Sequence, residues 1–172
     1  MTRLLQRALA WLRSNKVQLF LARHSFALAA VGFYNQGKAD LGAATWVGGG
    51  DYRLLLLDNA GTYTFNADHD FVAGLTPGSN ESTGTGYARK TLTGFAATVD
   101  DANDWAEYDA TDPSIYTGAD FGVIQAAVVF RFVTSDAASP LICYLDGAGF
   151  PITTNSGDLT LQFHADGVFK IT

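Results

Sequence analysis

The sequence predicts a mainly β protein. Its body, residues 50–172, reads as an antiparallel β-sandwich or jelly roll, and a helical or extended N-terminal arm, residues 1–49, precedes it. Three observations carry this. Beyond Gly48-Gly49-Gly50, short apolar runs recur about every ten residues with turn residues between them. No helical period intervenes in that stretch. The charge also divides: the first 39 residues hold six basic side chains and no acidic one, whereas the rest hold five basic and all 17 acidic ones.

The arm comes first. Leu4, Leu5, Ala8, Leu9, Trp11 and Leu12 fall on one stripe of an amphipathic helix, and Arg3, Gln6, Arg7, Ala10 and Arg13 fall on the other side. Ser14-Asn15 marks a break. A second apolar stretch runs over 17–33, but Arg23 and His24 interrupt it, so its apolar runs fall short of the ~20 residues a spanning helix needs. Ala27-Leu28-Ala29 has the small-residue form of a signal-peptidase site, yet the same charged pair breaks the apolar region before it, and the arm is expected to be retained. A basic apolar arm has little to do inside a self-sufficient globule. It is expected to dock through Arg3, Leu4, Leu5, Arg7, Leu9, Trp11, Leu12 and Arg13.

The body follows in order. Residues 52–57 form an apolar run broken only by Arg53, closed by Asp58-Asn59-Ala60-Gly61. Tyr63 and Phe65 alternate with Thr62 and Thr64. Residues 75–85 read as a loop. Residues 87–99 read as two strands about Gly94, with Leu92 on one side and Phe95 and Val99 on the other. Alternation over 105–110 predicts a half-buried strand. The longest strand candidate is 121–133, apolar on both faces as a central strand would be. Residues 141–145 follow, then Leu159, Leu161 and Phe163 on one face of a strictly alternating run. Asp166-Gly167 predicts a hairpin into 168–171.

Composition sets the class. An apolar fraction of 48% suffices for a packed core, and the 16% charged residues fall below the usual ~25%. Much of the surface is therefore Thr, Ser, Asn and Gly, or is covered by neighbouring subunits. Eighteen Gly against four Pro favour tight turns. The single Cys143 lies in an apolar run and reads as a small buried hydrophobe.

No reaction centre emerges. In Asp68-His69-Asp70 the carboxylates would point away from the imidazole in a strand. Asp100-Asp101-Ala102-Asn103-Asp104 lacks the Gly and the downstream Glu of a calcium loop. His164 and Asp166 sit at a turn, and His24 has no evident partner. There is no nucleophile elbow, zinc-protease helix or phosphate loop. The reading is no enzyme, no cofactor, no metal and no small-molecule substrate. The acidic body lacks a basic stripe, so nucleic acid is not an expected partner.

Several segments of the body resemble a group of small tailed-bacteriophage virion proteins. They are Gly84-Thr85-Gly86-Tyr87-Ala88-Arg89-Lys90-Thr91-Leu92-Thr93-Gly94 and Asp104-Trp105-Ala106-Glu107-Tyr108-Asp109-Ala110-Thr111-Asp112, followed by Ala127-Val128-Val129-Phe130 and Ser139-Pro140-Leu141-Ile142-Cys143-Tyr144-Leu145-Asp146. Gly157-Asp158-Leu159-Thr160-Leu161-Gln162-Phe163 and Ala165-Asp166-Gly167-Val168-Phe169 complete the series. Their order and spacing are similar over roughly 50–172; the arm lies outside. The resemblance implies a structural component of the particle without fixing its position.

The expectation is therefore a capsid decoration (cement) protein on the virion surface, made in the host cytoplasm. Its partners would be the major capsid protein and copies of itself, as a homotrimer, with no membrane. A tail, neck or head-fibre component is the alternative. A receptor- or carbohydrate-binding module resting on Trp46, Trp105 and the tyrosines comes after it. Deleting 1–33 is expected to leave a folded body.

Overall fold

In the computed structural model, residues 24–28 (backbone), 32–43, 45–48, 50–58, 63–75, 80–147 and 149–172 are described. The protein is mainly β. Strands β1 (His24–Leu28) and β2 (Gly32–Phe33) precede helix α1 (Asn35–Gly42), then come β3 (Asp51–Asp58), β4 (Lys90–Thr91), β5 (Ala96–Asp100), β6 (Trp105–Asp109) and β7 (Tyr116–Ala119). The chain continues with β8 (Val123–Phe132), β9 (Leu141–Leu145), β10 (Ile152–Thr153), β11 (Gly157–Phe163) and β12 (Phe169–Ile171).

A central sheet runs β2-β9-β8-β3-β4, with β10 also on β8. Its spine is the antiparallel β3–β8 pair, from Asp51 opposite Phe132 to Leu57 opposite Ala126. These are the apolar run at 52–57 and the longest strand candidate, 121–133, and both faces of the pair are covered. Leu54, Leu56, Ala127, Val129, Cys143 and Leu145 face one core, closed by Tyr116, Leu159, Leu161, Phe163 and Phe169. Leu55, Leu57, Val128, Phe130 and Leu141 face the other, closed by Tyr34, Tyr63, Val72 and Leu75. Each fully buried Leu contributes ~1.5–3 kcal/mol. This sandwich-like layering leaves two smaller sheets, β1-β11-β7 and β12-β6-β5.

The composition break at residue 49 is not the packing boundary. Tyr34 is fully buried and Trp46 is 1% exposed. The Trp46 ring lies 4.7 Å from Tyr52, 4.9 Å from Phe95 and 5.1 Å from Phe169, centroid to centroid. Asp40 of α1 chelates Arg131 of β8 through both carboxylate oxygens. Helix α1 lies so close to β9 that a Cβ on Gly37 would stand 2.4 Å from the Ile142 carbonyl oxygen. Residues 32–48 thus belong to the body, because their apolar side chains complete its core.

Two further expectations change in detail. Tyr63 and Phe65 alternate in burial but find no strand to pair with; they pack as a flap on Tyr144. The Asp166-Gly167 turn forms, with His164 bridging Gly167, but the strand after it does not return to β11. It pairs with β6 instead, Phe169 opposite Tyr108. The Val168 amide donates to the Tyr108 carbonyl at 2.8 Å, and the backbone at Gly167 (φ +85°) passes so close to that carbonyl that a Cβ would lie 2.7 Å from it. The turn therefore redirects the chain from one sheet to another.

Candidate functional site

The docking residues expected from sequence, Arg3, Leu4, Leu5, Arg7, Leu9, Trp11, Leu12 and Arg13, lie outside the described residues. What the structure places is the surface of the body, and four polar clusters there resolve into local architecture.

The largest is built on Arg89, just before β4. Its Nε and Nη2 donate to Glu81 at 2.8 and 2.7 Å, and its Nη1 and Nη2 donate to Asp136 at 2.6 and 2.8 Å. Tyr87 Oη donates to Glu81 at 2.6 Å, and the guanidinium lies 5.3 Å from the Phe130 ring centroid. The hydrogen bonds to Asp136, then those to Glu81, raise the Arg89 pKa, and Arg89 in turn holds the Asp136 carboxyl below its ordinary range. The cluster borders a cavity of about 500 Å³, walled by Val72, Leu75 and Ser82. Each charged group there is engaged by another, so the arrangement clamps β4 to the turn after β8. These residues are eight and 47 positions apart, and no local pattern links them.

Of the three acid and histidine motifs, the first two disperse, while His164 Nδ1 and Asp166 Oδ2 stay 3.5 Å apart at the surface. His69 Nδ1 meets Tyr63 Oη at 3.1 Å, and Tyr63 Oη meets Tyr34 Oη at 3.1 Å. Asp68 turns the other way and accepts from Asn35 at 2.9 Å. Asp100 folds onto its own turn: it accepts from the amides of Ala102 and Asn103 at 3.0 and 3.1 Å and from Asn103 Nδ2 at 2.8 Å. The Asn103 side chain is the main reason its carboxyl is depressed. His164 Nδ1 accepts the Asp166 amide at 3.1 Å, while Asp166 takes Lys170 at 3.2 Å. Among the described residues no group of three acidic, His or Cys side chains is placed to hold a metal. Cys143 is fully buried, and burial pushes its thiol pKa up.

The aromatic platform is not open either. Trp46 is internal, its Nε1 donating to the Asp109 carbonyl at 3.2 Å. Trp105 is capped by Lys170, whose Nζ stands 3.9 Å from the ring centroid.

What stays uncovered is the sheet β12-β6-β5. Near the body its inner face is core: Tyr108 stacks on Phe169 at 4.8 Å. Further out the same face overhangs. Val99 pairs with Ala106, and Ala106 with Ile171, so the three form one row. Val99 is 72% exposed and Ile171 44%. Beside them a groove of about 500 Å³ runs between α1 and β12, floored by Phe33, Leu41 and Tyr108 and flanked by Lys38 and Lys170. The sequence set Leu92 against Phe95 and Val99, whereas Leu92 and Phe95 pack on one core and Val99 is exposed; alternation alone does not tell where the body beneath a face ends.

No helix among the described residues is long and apolar enough to cross a membrane. Compared with known proteins, the chain matches no family model, no curated protein and no solved structure.

Proposed function

We propose that this chain is a non-enzymatic structural protein of a tailed-phage virion, specifically a decoration protein that binds the major capsid protein shell and stabilises it. One observation carries the reading: a basic stretch of 39 residues without an acidic side chain is joined to a β body whose polar clusters are engaged in holding the fold. The segment resemblance over 50–172 supports the virion setting. On this reading the body assembles as a homotrimer. The arm lies across neighbouring shell subunits, with Leu4, Leu5, Leu9, Trp11 and Leu12 in an apolar groove and Arg3, Arg7 and Arg13 against acidic shell residues. Many copies on one shell make weak single contacts effective together.

Two measurements test this. Quantitative mass spectrometry of purified particles is expected to find the chain near parity with the major shell protein; a small fraction of parity would place it in the neck, tail or fibres instead. Deleting 1–23 is expected to leave a folded body that no longer decorates shells. The cut belongs at 23, not 33, because β1 pairs with β11, β2 pairs with β9, and Phe33 packs edge-on to Phe169 at 5.1 Å. Normal decoration by the truncated protein would refute the arm's role.

A further inference from the structure

We infer that β5 is a self-association edge, at which two copies of this chain pair antiparallel about Thr98. This goes beyond the virion reading and does not rest on it. β5 ends its sheet with β6 on one side only, and Ala96 through Val99 are all exposed. Natural edge strands are guarded by charged side chains, Lys above all, by Pro, by bulges, by shortness or by a covering element. β5 reads Ala-Ala-Thr-Val-Asp and pairs with β6 without a register shift; among the described residues its one charged guard is Asp100 at its end, and Ala96 through Val99 carry neither charge, Pro nor bulge.

The register points to a second copy as the occupant. With Thr98 opposite its own counterpart, Val99 of one copy stands beside Ala97 of the other. Ala97 and Val99 share a face with Ala106 and Ile171, so the two apolar rows become one continuous row across the joint. The charges agree as well. Each Asp100 falls opposite Ala96 of the other copy, and the two Asp100 residues end up about 13 Å apart along the strands. That exceeds the screening length of about 8 Å at physiological salt, so the acidic turns at the hairpin tips do not oppose the contact. A one-residue slip would put Val99 on the opposite face from its neighbour's apolar row. An edge pair of five residues covers less than the ~1,200 Å² of a standard stable interface, so the association is reversible in solution and strengthens where copies are crowded.

The test uses the full chain. Sedimentation equilibrium over rising concentration is expected to show the wild-type mass doubling from its dilute value. Val99→Asp is expected to weaken that step by about tenfold or more, while the equivalent change at another exposed valine, Val47→Asp, leaves it unchanged. Thr98→Cys supplies the second readout. Cys143 is buried, so the new thiol is the accessible one, and at the two-fold position its Cα separation suits a disulfide. Thr98→Cys should give covalent dimers under mild oxidation about tenfold faster than Ala96→Cys. A wild-type mass independent of concentration would overturn the proposal, as would Val99→Asp behaving like wild type or equal cross-linking at 96 and 98. If Val99→Asp instead abolished shell binding and spared self-association, the edge would belong to another partner and the self-pairing would again be overturned. Shell copy number reads the virion proposal separately.

Discussion

Arg89 stands between two carboxylates that the sequence keeps far apart, and it decides how that corner of the fold answers to pH. Its side chain is 23% exposed, so its ion pairs are partly screened, and Asp136, at 47%, is screened more. Replacing Arg89 with Met would leave Glu81 and Asp136 without the cation between them and would remove four hydrogen bonds, two from each carboxylate. The expected loss is about 2 kcal/mol at pH 7, measured by urea unfolding. The pH dependence follows from the direction of the Asp136 shift. Its folded pKa lies below the ordinary value of about 3.9, so its contribution is present above that value and is lost as pH falls through the folded pKa. The wild-type advantage over Arg89→Met should therefore shrink between pH 5 and about pH 2. A gap that stayed constant across that range would mean that the pairing with Asp136 is energetically idle.

At the scale of elements, helix α1 offers a case in which two effects oppose each other. Gly37 lies inside the helix, where Ala is favoured by about 1 kcal/mol on propensity alone. Against this, its Cβ would meet the Ile142 carbonyl oxygen at 2.4 Å and Ile142 Cα at 2.6 Å, both backbone atoms that cannot swing aside. Overpacking of this kind costs about 1–3 kcal/mol, so Gly37→Ala is expected to lower stability in thermal or urea unfolding, and a gain would show that α1 shifts freely on β9. The same helix shows which elements were legible. β8 and β11 announce themselves, because a continuous apolar run and a strict alternation each admit one kind of strand environment. α1 does not: Asn35–Gly42 carries little apolar periodicity, and its place is set by Tyr34 and Trp46 on either side of it. The turn at Asp166-Gly167 was legible as a turn, whereas the choice of β6 as the next partner depends on Tyr108, some sixty residues earlier, and no local signal carries that. Of the site, only the contacts that are local in sequence were legible. Asp100 and Asp166 end on partners in their own turns, Asn103 and Lys170, whereas Asp68 meets Asn35, 33 positions away, and that contact, like the Arg89 cluster, needed the fold to assemble it.

The whole molecule combines a charge division with an interior rich in phenol groups. The division, +6 before residue 40 and −12 from residue 40 onward (five basic minus 17 acidic), leaves the body strongly acidic. The phenols bear on stability. Of the seven tyrosines, Tyr34, Tyr52, Tyr63, Tyr87, Tyr116 and Tyr144 all have pKa values raised above the ordinary 10, in each case chiefly by burial. A raised folded pKa means stability that is whole below the unfolded value and drains away as pH climbs above it. These groups also lie in both cores, Tyr52 and Tyr116 on one face of the central sheet and Tyr34, Tyr63 and Tyr144 on the other. Ionising any of them while folded would place a phenolate among apolar side chains, so the protein is expected to unfold rather than titrate. A spectrophotometric titration at 295 nm should then show most of the tyrosine absorbance change arriving in one steep step above pH ~10, coincident with loss of the β signal in circular dichroism. Tyr34→Phe removes one such group together with its hydrogen bond to Tyr63, which leaves the Tyr63 hydroxyl to His69. It should lower stability at neutral pH and reduce the total tyrosine absorbance change by one phenol, while the step stays cooperative. A gradual rise in absorbance with the fold intact would show that the two cores admit solvent, and that the sandwich is looser than its burial implies.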